Sequence, residues 1–188
     1  MRKNGNDVCS WRKAYFFDNA LRRMFQNPES IVYPFLEEGD TALDTGCGMG
    51  FFSIAMAMVV GQQGRVFSFD IQQPMIDVLL RRASRAGVAD RITAVLATPD
   101  GPELSDHADF AVASWMLHEV ENLPLFLDRV RASLKPGAGF LVMEPLFHVS
   151  ARQFDETIKV IEASGFRSAE QPKIGLSRAA LFLASSTV

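Results

Sequence analysis

Cysteine, histidine and net charge are all scarce in this chain. Two cysteines, Cys9 and Cys47, and three histidines occur among 188 residues. A disulfide framework needs more cysteines, and a zinc site needs Cys and His ligands at closer spacing. The net charge is only −3, which gives no overall attraction to nucleic acid or to anionic lipid. We therefore expect neither a metal centre nor a nucleic-acid partner.

Long apolar runs and processing signals are also missing. No run approaches the roughly 18 apolar residues that suggest a membrane span. The first residues, MRKNGNDVCSWRKAYFF, carry charge but lack the apolar stretch of a secretory signal. We expect a cytoplasmic protein that does not bind membranes.

Short β-like runs alternate with helical patterns along the chain. The predicted strands are 41–45, 65–70, 91–97, 109–115 and 140–145, followed by two more after Gly165. The predicted helices are 49–60, 73–87, 122–134 and one that begins after Ser150. This alternation predicts an α/β fold, a doubly wound and mostly parallel sheet with helices on both faces, ending in an antiparallel hairpin. Ligands bind such sheets beyond the carboxyl ends of the strands.

No repeat or flexible linker divides the sequence. We expect residues 1–188 to form one domain, with residues 1–35 as an N-terminal helical segment that can cover the site. Trp11, Tyr15, Phe16 and Phe17 in this segment could form a lid, but a stripe that packs on the core is the favoured interpretation.

A glycine-rich turn follows the first predicted strand in the stretch LDTGCGMG. Gly46, Gly48 and Gly50 allow a sharp turn and a close approach of the backbone to a ligand. The dinucleotide fingerprint G-x-G-x-x-G would require glycine at Phe51, and a phosphate loop would require Gly-Lys-Ser/Thr. Neither pattern is present, so ligands held by a phosphate group are disfavoured.

Two acidic residues flank this turn. Asp44 precedes it and would repel a pyrophosphate but attract an ammonium group. Asp70 ends the second predicted strand, where a carboxylate can accept both hydroxyls of a ribose. A ligand with an ammonium group, a ribose and no phosphate is S-adenosylmethionine.

With these features the sequence resembles the Rossmann-like (class I) S-adenosylmethionine-dependent methyltransferases, of the small-molecule type. The resemblance covers about residues 25–185 and is carried by the stretches LDTGCGMG, VFSFDIQQPMI, FAVASWMLHEV, LKPGAGFLVMEP and EASGF. It implies the strand order 3-2-1-4-5-7-6, with S-adenosylmethionine as cofactor and S-adenosylhomocysteine as its product.

The resemblance also implies roles for individual residues. Those that would form the site for the methionine portion and the ribose are Asp44, Gly46, Cys47, Gly48, Gly50 and Asp70. Asp44 would either organise the glycine turn or bind the ammonium of the methionine portion, directly or through water. Ile71 and Met75 would lie near the adenine. The family often has an acidic residue just after the third strand, but this chain has Ala97, Thr98, Pro99 and Asp100 there, so the adenine contact would come from Thr98 or from a backbone carbonyl before Asp100. Ser114 and Trp115 would pass under the methyl donor, and His118 would face the substrate.

Several of these residues also have a plainer interpretation. Cys47 is read as a small packed side chain rather than a nucleophile. His118 is the best-placed proton acceptor, although a lone histidine is more often structural. Glu144 could shape the pocket or serve as a structural anchor, and His148 is a weaker candidate for substrate contact.

The expected function is in-line methyl transfer to a small molecule. The amino-methyltransferase motif D/N-P-P-Y/F is replaced by SWML after the fourth strand, which disfavours a nucleic-acid base as acceptor. The pocket has short walls, so it is either open or completed by a second copy of the chain. Two alternatives remain: a module that binds the nucleoside without turnover, and a nicotinamide oxidoreductase.

Overall fold

The computed structural model describes Arg22, residues 25–104 and residues 107–185. The four aromatic residues predicted as a lid or a core stripe, residues 11 and 15–17, lie outside this part of the chain. No helix among the described residues is long and apolar enough to cross a bilayer.

The described residues contain seven β-strands and five α-helices. The strands are β1 (Thr41–Asp44), β2 (Arg65–Asp70), β3 (Ile92–Leu96), β4 (Ala108–Ser114), β5 (Leu134–Pro145), β6 (Phe166–Glu170) and β7 (Ser177–Ala184). The helices are α1 (Pro28–Val32), α2 (Phe51–Val59), α3 (Gln73–Ala86), α4 (Leu123–Ala132) and α5 (Ala151–Ala163). Short 3-10 turns cover Tyr33–Phe35, Ala89–Arg91 and Leu117–Glu119.

The seven strands form one sheet in the order β3-β2-β1-β4-β5-β7-β6. β1 to β5 pair in parallel, while β7 is antiparallel to both β5 and β6. The predicted fold class, its strand order and its terminal antiparallel hairpin are therefore confirmed.

Helices cover both faces of the sheet because the central strands are apolar on both sides. On one face, α1, α2 and α3 pack over a buried cluster that includes Met56, Leu79 and Phe110. On the other face, α4 and α5 pack over a second cluster that includes Phe126, Phe140 and Phe182. Continuous apolar strands are typical of a parallel sheet buried between two helical layers.

Local sequence signals explain where several helices begin and end. Helix α3 has a proline in its first turn, and Gly87 ends it with a left-handed φ of 71°, a conformation that costs glycine little. Helix α5 begins with a capping box, in which Ser150 and Gln153 satisfy each other's backbone N–H groups. Both features match the predicted boundaries.

One strand differs from its prediction. The strand predicted over 140–145 begins earlier, at Leu134, which pairs with Ala108 of β4. The register then shifts, and pairing resumes between Gly139 and Phe110. Gly137 has a φ of 80°, so the glycine-rich stretch bends the chain within the strand instead of ending the pairing.

Candidate functional site

Gly46, Gly48 and Gly50 lie at the carboxyl end of β1, beside the end of β4. Gly48 and Gly50 have positive φ values of 49° and 87°, and Gly50 caps α2. A Cβ at Gly50 would collide with Leu79, and a Cβ at Gly46 would lie 2.7 Å from Cγ of Met116. A Cβ at Gly48 would meet nothing within 4 Å. The turn therefore packs against protein at two glycines and leaves open space at the third.

The Asp44 carboxylate is buried directly beneath this turn. Its side chain is 1% exposed, and Ser53 Oγ donates a hydrogen bond to Oδ2 at 2.6 Å. Burial raises the pKa of Asp44 to about 7, and the negative charge of Asp70 adds to the rise, while the Ser53 hydrogen bond opposes it. A nearby cation would favour the charged form of this carboxylate, because it would offset the cost of burial.

Asp70 lies at the end of β2 and contacts the same turn. Its Oδ2 accepts the N–H of Gly48 at 2.9 Å, and its Oδ1 accepts the N–H of Gln72 at 2.9 Å. Burial raises the pKa of Asp70, while the backbone hydrogen bonds oppose the rise. Since each carboxylate oxygen can accept a second bond, a ligand hydroxyl can still bind this carboxylate.

The Cys47 thiol is enclosed within the turn. The residue is 5% exposed, and its N–H donates to the carbonyl oxygen of Phe69 at 2.9 Å. Burial raises the pKa of the thiol well above its ordinary value, and the charges of Asp44 and Asp70 add to this rise. The thiolate is the nucleophilic form, so the geometry favours a packed side chain over a nucleophile.

The predicted adenine-side residues differ in exposure. Ile71 is 43% exposed just after β2, whereas Met75 is buried in the first turn of α3. Thr98 forms an isolated β-bridge with Gly101, and the preceding Ala97 donates its N–H to the Asp70 carbonyl at 2.8 Å. Thr98 therefore belongs to a loop tied to the end of β2.

Ser114 and Trp115 lie at the end of β4, next to the end of β1. Trp115 has a φ of 60°, which is uncommon for a bulky residue. Its N–H donates to the Met143 carbonyl at 2.7 Å, and its Nε1–H donates to Ser177 Oγ at 2.8 Å. These bonds to β5 and β7 hold the indole in place despite the strained backbone.

Arg22 contacts this pair and was not predicted as a site residue. Its Nη2 donates to Ser114 Oγ at 2.8 Å, and its Cζ lies 4.1 Å from the ring centroid of Trp115. In the sequence, Arg22 is one of several basic residues near the N-terminus, a group that includes Arg12, Lys13 and Arg23. Spacing along the chain does not indicate that one of them reaches the end of β4.

His118 and Glu144 form a close pair, in which Glu144 lies at the end of β5 and His118 follows β4. The ring atom Nδ1 of His118 lies 2.6 Å from Glu144 Oε2, and the backbone N–H of His118 donates to Glu144 Oε1 at 3.1 Å. The Glu144 side chain is 2% exposed. Two roles were open for Glu144, shaping the pocket or anchoring the structure. The structure shows that its carboxylate contacts His118 directly.

The surroundings of His118 favour its charged form. Burial lowers the pKa of the imidazole, but the hydrogen bond and charge of Glu144, together with the charge of Glu119, outweigh burial, and the pKa is raised. Glu119 Oε1 lies 3.8 Å from Nε2, and the His148 ring centroid lies 4.8 Å from that of His118. Two histidines and two carboxylates therefore meet near the end of β5.

The predicted site residues thus fall into two groups along one edge of the sheet. Asp44, residues 45–50 and Asp70 form the glycine-turn side. His118, Glu144 and His148 form the histidine side, and Trp115 lies at the end of the strand that leads to it.

Comparison with known proteins gives a consistent assignment. The model of the methyltransferase domain family matches residues 36–170. A 2-phytyl-1,4-naphtoquinone methyltransferase from Synechococcus elongatus is 34% identical over 144 residues, covering 73% of this chain and 60% of that protein. A demethylmenaquinone methyltransferase from Symbiobacterium thermophilum is 30% identical over 117 residues, covering 62% of this chain and 47% of that protein.

The solved structures agree on the fold. An S-adenosylmethionine-dependent methyltransferase from Aquifex aeolicus matches with a TM-score of 0.82 at 20% identity, covering 94% of this chain and 99% of that one. The chain spans only 47% and 60% of the length of the two quinone-methylating relatives. The family match, the strand order and the glycine turn lead to one assignment: the chain belongs to the methyltransferase domain family and has the class I, Rossmann-like fold of S-adenosylmethionine-dependent methyltransferases.

Proposed function

We propose that this protein transfers a methyl group from S-adenosylmethionine to a small aromatic acceptor that carries an ionisable hydroxyl, as a quinol does. The observation that carries the proposal is the position of the His118–Glu144 pair, close along the sheet edge to a glycine turn flanked by the buried Asp44 and the half-buried Asp70. The glycine-turn side suits a nucleoside that carries an ammonium group. The histidine side suits the removal of a proton from an acceptor.

The residues of the glycine-turn side fit S-adenosylmethionine. Asp44 is a buried carboxylate whose ionised form gains from a cation, which suits the ammonium of the methionine portion. Asp70 would accept the ribose hydroxyls, and the open space at Gly48 allows a ligand to approach the backbone. S-Adenosylmethionine supplies a methyl group that its sulfonium charge has already activated.

The chain's own task is then to orient the acceptor and to remove its proton. The Glu144 carboxylate, 2.6 Å from Nδ1, favours the tautomer that carries its proton on Nδ1, so Nε2 is the atom that accepts a proton. General-base catalysis of this kind contributes roughly 10²- to 10⁴-fold in rate. Ionising the acceptor hydroxyl would make both its oxygen and its ring carbons better nucleophiles.

Exposed aromatic surface near the histidine side supports an aromatic acceptor. Phe147 is 63% exposed, and its ring lies edge-on to Trp115 with centroids 5.6 Å apart. Phe147 directly precedes His148, whose ring lies beside His118. The two relatives are also named for naphthoquinone-type acceptors, and from these names we take the acceptor class.

The broader expectations about this protein are part of the same proposal. We propose a cytoplasmic enzyme that forms one domain over residues 1–188, with residues 1–35 covering the site, and that acts on a small molecule rather than on nucleic acid. The pI of about 5.6 supports the last point. A homo-oligomer that completes an otherwise open pocket stays a prediction.

The test is turnover by the purified full chain. S-Adenosylmethionine would be incubated with a reduced naphthoquinone bearing a short isoprenoid tail, with a catechol and with a duplex oligonucleotide. Formation of S-adenosylhomocysteine and of a methylated product would be followed by mass spectrometry. We expect methylation of the naphthoquinol alone. Nucleoside binding without methylation of any acceptor would favour the non-catalytic module, and methylation of the oligonucleotide would overturn the acceptor class.

A further inference from the structure

Arg22 lies at the end of the sheet where β1 and β4 meet. Its Cζ is 4.1 Å from the ring centroid of Trp115 and 4.2 Å from that of Phe51, and its Nη2 donates to Ser114 Oγ at 2.8 Å. Phe51 begins α2, directly after Gly50. The guanidinium therefore bridges the start of the helix that follows the glycine turn and the end of β4.

A buried amide holds Arg22 in this position. The Nε of Arg22 donates to Gln26 Oε1 at 2.9 Å, and Gln26 is 1% exposed. The Gln26 Nε2 in turn donates to the carbonyl oxygen of Gly175 and to Ser177 Oγ. Backbone packing supports the same contact, because a Cβ at Gly175 would collide with the carbonyl oxygen of Phe25. The guanidinium is thus oriented in advance, which lowers the entropic cost of binding an anion.

Arg22 and Asp44 provide opposite charges at one end of the site. Asp44 ends β1, where it pairs in register with Val112 of β4, and Ser114 is the last residue of β4. Burial raises the pKa of Asp44, and the positive charge of Arg22 opposes that rise. The two side chains therefore interact electrostatically.

An amino-acid zwitterion would match this arrangement of charges. Its ammonium and carboxylate are attached to one carbon, so a ligand whose ammonium lies near Asp44 presents its carboxylate nearby. Guanidinium groups bind carboxylates through two parallel N–H···O bonds. We propose that Arg22 binds the α-carboxylate of the methionine portion of S-adenosylmethionine, so that it and Asp44 together recognise the amino-acid end of the ligand.

This inference rests on the proposed function, and a second arginine provides its alternative. Arg82 of α3 donates from Nη1 to the Met49 carbonyl oxygen at 3.2 Å. It approaches the glycine turn from α3, whereas Arg22 contacts the end of β4. The experiment must therefore separate these two arginines.

The test compares two nucleosides that differ only in the carboxylate. One is S-adenosylhomocysteine, and the other is its decarboxylated analogue, in which the thioether carries a 3-aminopropyl group. Affinities would be measured by titration calorimetry on the full chain and its variants Arg22→Met, Arg22→Lys, Arg82→Met and, as an exposed control, Arg152→Met. We expect the unmodified chain to prefer S-adenosylhomocysteine by about 10- to 100-fold, the range for a charge-assisted pair.

In Arg22→Met the preference should disappear, while the affinity for the decarboxylated analogue stays within about threefold. Arg22→Lys keeps the charge but not the paired bonds and should retain part of the preference. Arg82→Met and Arg152→Met should retain all of it.

Three results would overturn the assignment. Equal weakening of both nucleosides in Arg22→Met would mean that Arg22 only holds the segment around Gln26 in place. Loss of the preference in Arg82→Met alone would show that Arg82, and not Arg22, binds the ligand carboxylate. Tighter binding in Arg22→Met would mean that the guanidinium obstructs the site. Failure of both nucleosides to bind the unmodified chain would instead contradict the proposed function.

Discussion

The glycine-turn side and the histidine side of this site are built in different ways. On the glycine-turn side, the hydrogen bonds join residues close in sequence or on adjacent elements: Ser53 bonds Asp44, and Asp70 bonds Gln72 and Gly48. Beyond the end of β4, two bonds join distant parts of the chain: Trp115 bonds Ser177, and Arg22 bonds Ser114. A third bond joins His118 to Glu144, at the ends of two consecutive strands that pair in the sheet.

This difference follows from what each side contacts. The glycine-turn side uses backbone N–H groups and two carboxylates, which a single strand–turn–helix unit and the end of the next strand can position. The histidine side lies over β4, β5 and β7, strands that are neighbours in the sheet but not all consecutive in the chain. A local motif can therefore specify the first side, whereas the second depends on the assembled sheet. The variants below test whether the two sides also separate functionally.

The largest effect is expected from His118→Ala on the histidine side. Loss of the proton acceptor should lower kcat by roughly 10²- to 10⁴-fold, while the affinity for S-adenosylhomocysteine, measured by calorimetry, stays unchanged. In the unmodified chain kcat should rise with pH through the raised pKa of His118, because only the neutral imidazole accepts a proton.

Two further variants sharpen this prediction. His107 is exposed and lies outside the site, so His107→Ala should keep full activity. Glu144→Gln should lower kcat and also move the rise in activity to lower pH, because the interactions that raise the pKa of His118 are weakened. Full turnover by His118→Ala on the true acceptor would remove the general base from the mechanism.

An intermediate effect is expected from Asp70→Asn on the glycine-turn side. Loss of the charged acceptor should weaken S-adenosylhomocysteine binding by about 10- to 100-fold, as expected for hydrogen bonds to a charged group. At saturating cofactor kcat should change little, because this side chain binds the ligand in its ground state and in the transition state alike. The matched control is Asp77→Asn on the exposed face of α3, which should bind normally. A large loss of kcat at saturation would show that the two sides are not separable.

The smallest effect concerns the pH dependence of Asp44. Its pKa in the folded chain is raised from 3.8 to about 7, so the folded state holds this proton more tightly than the unfolded state does. The stabilisation is complete below pH 3.8 and is lost as the pH rises through about 7. Asp44→Asn should therefore unfold at a higher temperature than the unmodified chain at pH 8, as measured by a thermal melt without ligand.

Cofactor binding should have the opposite pH dependence. An ammonium group favours ionised Asp44, so the affinity for S-adenosylhomocysteine should increase by about tenfold in total between pH 6 and pH 8, the range in which a carboxyl with a pKa of about 7 ionises. Asp44→Asn should bind more weakly at pH 8 and lose most of this dependence, whereas the exposed Asp155→Asn should keep it. If the affinity of Asp44→Asn still depends on pH in the same way, the titrating group is not Asp44 but another, for instance Asp70.

The predictability of the fold follows the range of the signals in the sequence. Alternating apolar runs, Pro74 in the first turn of α3 and the Ser150 capping box are local features, and the corresponding elements lie close to where they were predicted. The start of β5 was not predictable. Its first residue pairs with Ala108 across a register shift, and the glycines at 137 and 139 read locally as a break.

The site follows the same rule. Asp44, the three glycines and Asp70 could be recognised because their spacing describes one turn and the end of the next strand. Arg22 could not be recognised, because its contacts with Phe51 and Ser114 span long stretches of the chain. Glu144 was noticed, but its contact with His118 requires the parallel pairing of β4 and β5.

The fold class, the glycine turn and the two acidic residues beside it could be inferred from the order of amino acids, because each depends on the conformations of neighbouring residues and on a periodic apolar pattern. The raised pKa of Asp44, the contact between Glu144 and His118, and the approach of Arg22 to the end of β4 emerge only in the folded chain. Those properties depend on burial and on distances across the sheet. Both arise only when strands and segments far apart in the chain pack together.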